Sequence, residues 1–431
     1  VRVLVTGAYG FIGSHIVAAL IAADHEVVCA VRGARLDSRF PGLRAVACDM
    51  SRDVTPDVWL PRLKDIDAVV NCAGILREQF GDSFDTVHVQ APRALYEACV
   101  QAEMRCVVQI SALGNANDGE FIASKHRGDE HLGALPLYAT ILRPSLVYSA
   151  RGSYGGTSLL RAMAALPGLI AVPKAATRPC VQPVAAEDVA LAVVAALARA
   201  PHGSDIIELV GPRAMGLDDY LQCWRRWLGL RAAHVWVVPT ALVRIACRIG
   251  ERLGRGPLGK TMERMLEHGN LASAGALERM RERLDLSPRS LERALAEAPS
   301  HLQDRWHARL YFALPALRIS LAFLWLASGL IGWTLSADAV TAAAQTGLLS
   351  ADASLLLARA TATLDLLLGM LCLVRWRPCW VLSGMLVMLL GYTLGIGTLW
   401  PIHWLDPLGG LLKNVPLIAA VAVLLASEER T

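Results

Sequence analysis

Charge is scarce where the chain is most apolar. Between Leu310 and Ser427 only nine charged side chains occur: Arg318, Asp338, Asp352, Arg359, Asp365, Arg375, Arg377, Asp406 and Lys413. Across all 431 residues the charged share is 19% against 54% hydrophobic, with a mean hydropathy of +0.41. That is too apolar for a wholly soluble protein and too charged for one lying wholly in a membrane, so two unlike modules are expected. The net charge of +4 is small and spread out and gives no footprint for nucleic acid. The ten cysteines lack CxxC or any other close metal-ligand spacing, so no metal site is expected. Most lie in apolar runs, as reduced thiols of a cytosolic protein do. The chain opens directly on Val1-Arg2-Val3-Leu4-Val5, and membrane insertion is expected from the C-terminal segments.

Strands and helices alternate through the first half. Apolar runs at Val1–Val5, Glu26–Val31, Leu43–Cys48, Ala68–Asn71, Arg105–Ile110 and Thr140–Arg143 read as buried strands, with helical periodicity over Gly13–Ala23 and Val87–Ala102. Continuous apolar strands between helices predict a doubly wound parallel α/β sheet of Rossmann type, with a small substrate-side region after it. The expected division is 1–235 for this nucleotide-binding domain, 236–309 for a helical cap or connector, and 310–431 for a four-helix transmembrane bundle.

Thr6-Gly7-Ala8-Tyr9-Gly10-Phe11-Ile12-Gly13 follows the first strand and opens a helix. Gly7 permits the sharp turn, Gly10 leaves room for a pyrophosphate, and Gly13 lets helix and strand pack closely. The helix N-terminus offers N–H groups and positive dipole to phosphates. NAD-selective folds place an acid at the end of the second strand; here Val31-Arg32-Gly33-Ala34-Arg35 carries two cations and none. Arg32 and Arg35 therefore favour NADP(H) over NAD(H).

Further motifs follow in order: Asp49-Met50 after the third strand, Asn71-Cys72-Ala73-Gly74 after the fourth, Ile110-Ser111-Ala112-Leu113 after the fifth, Leu142-Arg143-Pro144-Ser145-Leu146-Val147-Tyr148 after the sixth, and Gln182–Ala190. With the glycine turn they resemble the short-chain dehydrogenase/reductase superfamily, in its extended or atypical branch, over residues 1–215. Ala112–Asn117 and Ser124–Glu130 look most like the group that contains the nucleotide-binding accessory subunit of respiratory complex I. The resemblance implies that Tyr9, Phe11, Ile12 and Met50 bind the cofactor and that Asp49 contacts the adenine. It implies as well that Ala73 and Gly74 line the groove, that Ser111 orients substrate, and that Lys125 holds the nicotinamide ribose.

That superfamily's reductases use a Tyr-x-x-x-Lys pair, whose spacing puts both side chains on one helix face. Here the place reads Phe121-Ile122-Ala123-Ser124-Lys125. The lysine is present and the phenol is not, and no tyrosine lies between Tyr96 and Tyr138 to restore it by a shift of register. Ordinary carbonyl reduction through a phenol is therefore disfavoured, while hydride transfer to a quinone- or flavin-like acceptor depends less on it. His88 and Tyr148 are alternative proton sources, each read first as structural.

Four segments reach spanning length: Leu314–Leu335, Ala353–Val374, Pro378–Trp400 and Leu408–Ala426. Arg305 and Arg309 before the first, and Arg375 and Arg377 between the second and third, put the soluble domain and the C-terminus in the cytoplasm of an inner-membrane, multi-pass protein. Trp333, Trp376, Trp380, Trp400 and Trp404 fall at segment ends, where indoles prefer the interface. Arg318–Leu330 and Trp404–Pro416 resemble DoxX-like membrane proteins, some of which act in quinone-linked oxidation. Asp365, near mid-span, is expected to pair with Arg318 or Lys413 on another helix, or to form a polar site for a quinone or lipid headgroup. The functional expectation is a membrane-anchored NAD(P)H-binding oxidoreductase for a hydrophobic small molecule such as a quinone, isoprenoid or lipid. The alternatives are a non-catalytic NADPH-bound scaffold, assembly factor or sensor, and a transporter or lipid-binding module regulated by its Rossmann domain.

Overall fold

The first strand, β1 (Arg2–Thr6), shows how the sheet is covered. Val3 and Val5 point to one side and Leu4 to the other, and all three are fully buried. Side chains alternate across a strand, so apolar residues on both faces require helices on both faces. The computed structural model describes residues 1–431 except 34–39, 79–80, 105, 200–202, 254–258, 260–262, 265–267, 336, 339–349, 400, 406–409 and 429–431. The chain divides into two compact units, Val1–Arg309 and Leu310–Thr431.

In the first unit β1 is followed by α1 (Phe11–Ala22), β2 (Glu26–Val31), β3 (Arg44–Ala47), β4 (Ala68–Asn71), α2 (Ala91–Gln101), β5 (Cys106–Ile110), α3 (Glu120–Ala134) and β6 (Ala139–Pro144). Then come β7 (Val147–Tyr148), α4 (Gly156–Ala164), β8 (Leu169–Pro173), β9 (Val184–Ala185), α5 (Ala186–Ala198) and β10 (Ser204–Leu209). Seven strands form one parallel sheet in the order β10-β6-β5-β4-β1-β2-β3. Ile16 and Leu20 of α1 and Val189 and Val193 of α5 pack with Val3, Val5 and Val108 on one face. Trp59, Leu95 of α2 and Leu132 of α3 pack with Leu4, Val69 and Val107 on the other. The expected doubly wound parallel sheet is present. Two adjustments are local: α2 is preceded by a π-helical turn, Thr86–Gln90, and its regular part begins at Ala91, where Pro92 sits in the first turn.

The rest of the unit is α6 (Leu217–Trp227), β11 (His234–Val238), α7 (Thr240–Leu253), α8 (Ala276–Leu284) and α9 (Leu291–Glu297). Residues 236–309, read from the sequence as a cap or connector, fall within this unit. Met280 of α8 is fully buried against the main core, beside Ile207 and Leu209 of β10. Leu291 and Leu295 of α9 join Tyr148, Tyr220 and Trp224 in a separate substrate-side core.

The second unit contains residues 310 onward of α10 (Leu302–Thr334), then α11 (Ala351–Val374), α12 (Pro378–Leu399) and α13 (Asn414–Ala426). The first three are long and apolar enough to cross a membrane. At 24 and 22 residues, α11 and α12 are ~36 and ~33 Å long against a hydrocarbon core of ~30 Å. The fourth expected span is shorter: α13 has 13 residues, ~20 Å, and Asp406 and Leu408 lie outside the described residues, as does Trp400. Helix starts only at Asn414, with Pro416 in its first turn. Phe323, Leu356, Trp380 and Val387 are two-thirds or more exposed, a surface that suits lipid and not water. Inside, Trp325, Leu368, Leu382, Met385 and Val421 form the core.

The expected pairing of Asp365 with Arg318 or Lys413 is not found among the described residues. The Asp365 Oδ2 accepts from Ser328 Oγ at 3.0 Å, and no cation contacts it among the described residues. Arg318 is held instead by Glu428, just past the apolar run, and Arg375 meets the same carboxylate at 3.0 Å. Arg359 donates to the carbonyls of Gly332, Trp333 and Leu335 and lies over the Trp333 ring, satisfying acceptors that the end of α10 leaves unpaired.

Candidate functional site

The glycine turn has the form its spacing requires. Gly7 adopts φ +62°, and a Cβ there would stand 2.9 Å from the Ala73 backbone. The Gly10 N–H donates to Gly7 O at 2.9 Å, closing the turn. A Cβ on Gly13 would lie 2.1 Å from Gly7 O, so only glycine lets α1 approach this closely. No side chain caps α1, and its first turn has no acid, which leaves its N–H groups and dipole open to a phosphate. Phe11 and Ile12 form that first turn; Phe11 meets His15 edge-on at 5.5 Å, and Ile12 and Tyr9 pack against the core. These features fit a dinucleotide.

A buried polar network braces the strand ends beneath. Thr6 Oγ1 donates to Asn71 Oδ1 at 2.5 Å, and Asn71 Nδ2 reaches Gln109 Oε1 at 2.8 Å and the Tyr96 hydroxyl at 3.0 Å. It ties β1, β4 and β5 together where the groove opens. The spread of its members over about a hundred residues hid it from sequence reading.

At the end of β2, Arg32 is half-exposed and pairs with Asp82 at 2.8 Å and Asp49 at 3.4 Å. Asp49 also accepts from Ser51 N and Oγ; these bonds and the nearby arginines outweigh burial and hold its carboxyl below the ordinary range. Met50 is buried beside Cys48. Arg35 lies outside the described residues.

Lys125 is the centre of the groove. Its Nζ donates to Ala73 O at 2.9 Å and Ile110 O at 3.2 Å, joining the ends of β4 and β5. A Cβ on Gly74 would come within 2.9 Å of that Nζ, so a larger residue there would press on the lysine. Burial pushes the ammonium down to about 8, against the pull of Asp129 one turn along α3. Ser111 is drawn the other way: its hydroxyl donates to Asp129 Oδ2 at 2.7 Å, and Arg143 meets the same oxygen at 2.9 Å. Only 6% exposed, Ser111 serves this buried triad. Burial raises the Asp129 carboxyl despite the two partners.

Phe121 packs its ring edge-on against His88 at 5.7 Å. His88 Nε2 accepts from Ile75 N at 3.0 Å, so its proton sits on Nδ1, which donates to Ser124 Oγ at 2.9 Å. Burial, with Lys125 and Arg127 nearby, holds His88 down at about 2. With both nitrogens engaged and no charge to give, His88 is structural. Tyr148 is fully buried in the substrate-side core.

Sequence reading did not find the segment that covers the loop after β5. His268 Nδ1 donates to Asp118 Oδ1 at 2.6 Å, Asn270 Nδ2 to Leu113 O at 2.9 Å, and Arg264 to Asn117 O at 2.9 Å. These partners lie about 150 residues apart, beyond any local pattern. Nor did it find the link from α1 to α5: His15 Nδ1 donates to Phe11 O at 2.8 Å, its Nε2 meets Ser149 Oγ at 3.0 Å, and Ser149 donates to Glu187 at 2.7 Å.

That link gives a pH prediction. Burial opposes the His15 imidazolium, but Glu187 and the Phe11 carbonyl outweigh it and raise its pKa. Burial likewise opposes the Glu187 carboxylate, but hydrogen bonds from His15 and Ser149 bring it down to about 2. A raised histidine stabilises fully below its ordinary 6.5 and loses this as pH climbs through the folded value. A depressed carboxyl stabilises fully above its ordinary 4.5 and loses this as pH falls toward 2. The pair is therefore strongest between 4.5 and 6.5. In thermal unfolding, His15→Gln should cost more stability at about pH 5.5 than at about pH 8.5; equal costs would refute the link.

Residues 3–207 match the NAD dependent epimerase/dehydratase family, and residues 322–422 match the DoxX-like family. A ceramide reductase of Caulobacter vibrioides is 29% identical over 152 residues, which are 34% of this chain and 46% of that protein, so the match spans less than half the relative's length. Among solved structures, the UDP-glucose 4-epimerase of Thermotoga maritima is 16% identical with a TM-score of 0.53, covering 69% of this chain and 97% of its own. That of Thermus thermophilus in complex with NAD is 20% identical with a TM-score of 0.52, covering 72% and 99%. At such identities the likeness is one of fold. The protein thus joins, in one chain, a Rossmann-type domain that matches the NAD dependent epimerase/dehydratase family to an apolar helical region that matches the DoxX-like family.

Proposed function

We propose that this protein is a membrane-anchored NAD(P)H-dependent oxidoreductase whose substrate is a lipid-soluble molecule such as a quinone, an isoprenoid or a lipid. Its soluble unit works on the cytoplasmic side of the inner membrane. The carrying observation is Lys125, buried in the groove and fixed by the carbonyls of Ala73 and Ile110. The glycine turn and the α1 N-terminus hold the pyrophosphate, Asp49 and Met50 flank the adenine, Gly74 lines the groove, and Lys125 holds the nicotinamide ribose. Arg32, at the end of β2, would meet a 2′-phosphate, which favours NADP(H), though Asp49 and Asp82 already share its charge. When bound, the cofactor supplies a hydride. The chain supplies the proton: Phe121 has none and His88 is engaged, whereas an ammonium brought down to about 8 can release one near neutral pH. A relative named for reducing ceramide supports a lipid-soluble substrate.

The test uses detergent-purified full-length protein. NADPH and NADH affinities are measured first, then NADPH oxidation with a short-chain quinone and with a long-chain keto lipid. Tighter NADPH binding and acceptor-dependent oxidation are expected. Absence of binding overturns the reading at the glycine turn.

A second reading, a non-catalytic NADPH-bound scaffold, draws on Phe121. Bound dinucleotide at 100 times its dissociation constant stabilises a fold by about 2.7 kcal/mol without turnover. Phe121→Tyr separates the two. A phenol on the Lys125 face should raise carbonyl reduction about tenfold in an oxidoreductase, short of the ~10²-fold of an optimised acid because the ring also packs on His88. No gain, together with tight binding and no oxidation, would favour the scaffold.

A further inference from the structure

The interior of the membrane unit holds polar atoms that its own side chains leave unsatisfied. Asp365 of α11 is 6% exposed and Trp325 of α10 is 5% exposed. Asp365 Oδ1 and Trp325 Nε1 are buried with no hydrogen-bond partner among the described residues. Ser328 lies between them in chemical terms: it is one turn from Trp325 on the same face of α10, and its hydroxyl donates to Asp365 Oδ2 at 3.0 Å. On α12, Tyr392 stands beside Thr361 and within electrostatic reach of Asp365. The cations that would ordinarily neutralise such an acid are held elsewhere, Arg318 by Glu428 and Arg359 by the end of α10.

An unpaired polar atom in an apolar interior is costly, and here an N–H donor on α10 and a carboxyl oxygen on α11 both lack partners among the described residues. Backbone packing does not close the gap by accident of loose fit. A Cβ on Gly329 would come 2.6 Å from Ala362 O, and one on Gly369 2.9 Å from Leu326, so α10 and α11 are in close contact on either side. The cluster is a built polar point in a tight helix pair.

We infer that Trp325, Ser328 and Asp365 form a binding site for the hydroxyl group of a long-chain alcohol or hydroxylated lipid. The chemistry selects this class. An alcohol oxygen can accept from the Trp325 N–H and donate to Asp365 Oδ1, and it still finds a partner if the carboxyl carries the proton. A ketone or quinone carbonyl can only accept and so meets both groups only when the carboxyl is protonated, and a hydrocarbon meets neither. The alkyl tail would lie among the apolar side chains of the bundle. The site needs no dinucleotide and stands apart from the hydride-transfer reading.

The experiment uses full-length protein in phosphatidylcholine vesicles, photolabelled with a diazirine-bearing long-chain alcohol and, in parallel, with the matching diazirine hydrocarbon. Labelled peptides are mapped by mass spectrometry, with unlabelled hexadecanol as competitor. Alcohol labelling is expected to concentrate on the peptides around Trp325–Ser328 and Asp365 and to be competed by hexadecanol. Trp325→Phe, which keeps an aromatic ring and removes only the N–H, should weaken that competition about three- to tenfold, and Asp365→Leu should do the same. Equal labelling by alcohol and hydrocarbon would mean that water or nothing fills the cluster and would overturn the site. So would competition unchanged in Trp325→Phe, whose thermal unfolding should match that of the parent.

Discussion

Gly13→Ala should remove dinucleotide binding, with an affinity loss of at least ~100-fold. The added Cβ would sit 2.1 Å from Gly7 O, a distance no packing tolerates. Either α1 moves away from the sheet or the turn opens, and both displace the N–H groups that would face the pyrophosphate. The strain also lowers stability by about 1–3 kcal/mol, the usual cost of overpacking. Gly10→Ala is the control. Its Cβ would meet only Gly7 O, at 3.0 Å, with open space beyond. That variant should melt near the parent temperature yet bind poorly, because the methyl group occupies space the phosphate needs. Titration of NADPH by fluorescence, paired with thermal unfolding, separates the two effects. Unaltered binding in both variants would end the assignment of the turn.

Lys125→Met should weaken NADPH binding by roughly 30-fold and abolish acceptor-dependent oxidation, the loss expected when a charged hydrogen-bonding group is removed. Methionine nearly fills the space of the lysine stem but donates nothing. The carbonyls of Ala73 and Ile110 would lose their partner, and the groove its titratable group. The pH profile gives a readout that a structural role alone would not move. If Lys125 supplies the proton, turnover in the parent should fall as pH rises through about 8, where the buried ammonium titrates. A profile flat across that range would remove lysine from the proton's path while leaving its binding role intact.

The sequence showed most of what is local. β1, the glycine turn and α1 are contiguous, and their signals are a buried run, three glycines and helical periodicity. Lys125 and Phe121 were legible because four residues fix their relation on one helix. Less was visible of what long-range pairing decides. The resemblance gave Ser111 the role of orienting substrate, and no local pattern showed that Asp129 and Arg143, brought up from α3 and β6, take its hydroxyl. His268 and Asn270 reach the loop after β5 from far along the chain. Asp365 was expected to find Arg318, but Glu428, just beyond the charge-poor stretch, takes that arginine. Hydropathy located the apolar run of the fourth span but not where helix begins within it.

The position of α8 bears on how the protein is made. Ala276, Met280 and Leu284 complete the core of the main sheet beside β10, although the family match ends at residue 207. A nascent chain released at that point would leave one face of the sheet without its last apolar cover. α8 ends at Leu284 and α10, the first helix able to span a bilayer, begins at Leu302. Synthesis therefore completes the nucleotide-binding core and delivers the first membrane segment almost together, so folding in the aqueous phase and insertion into lipid overlap in time.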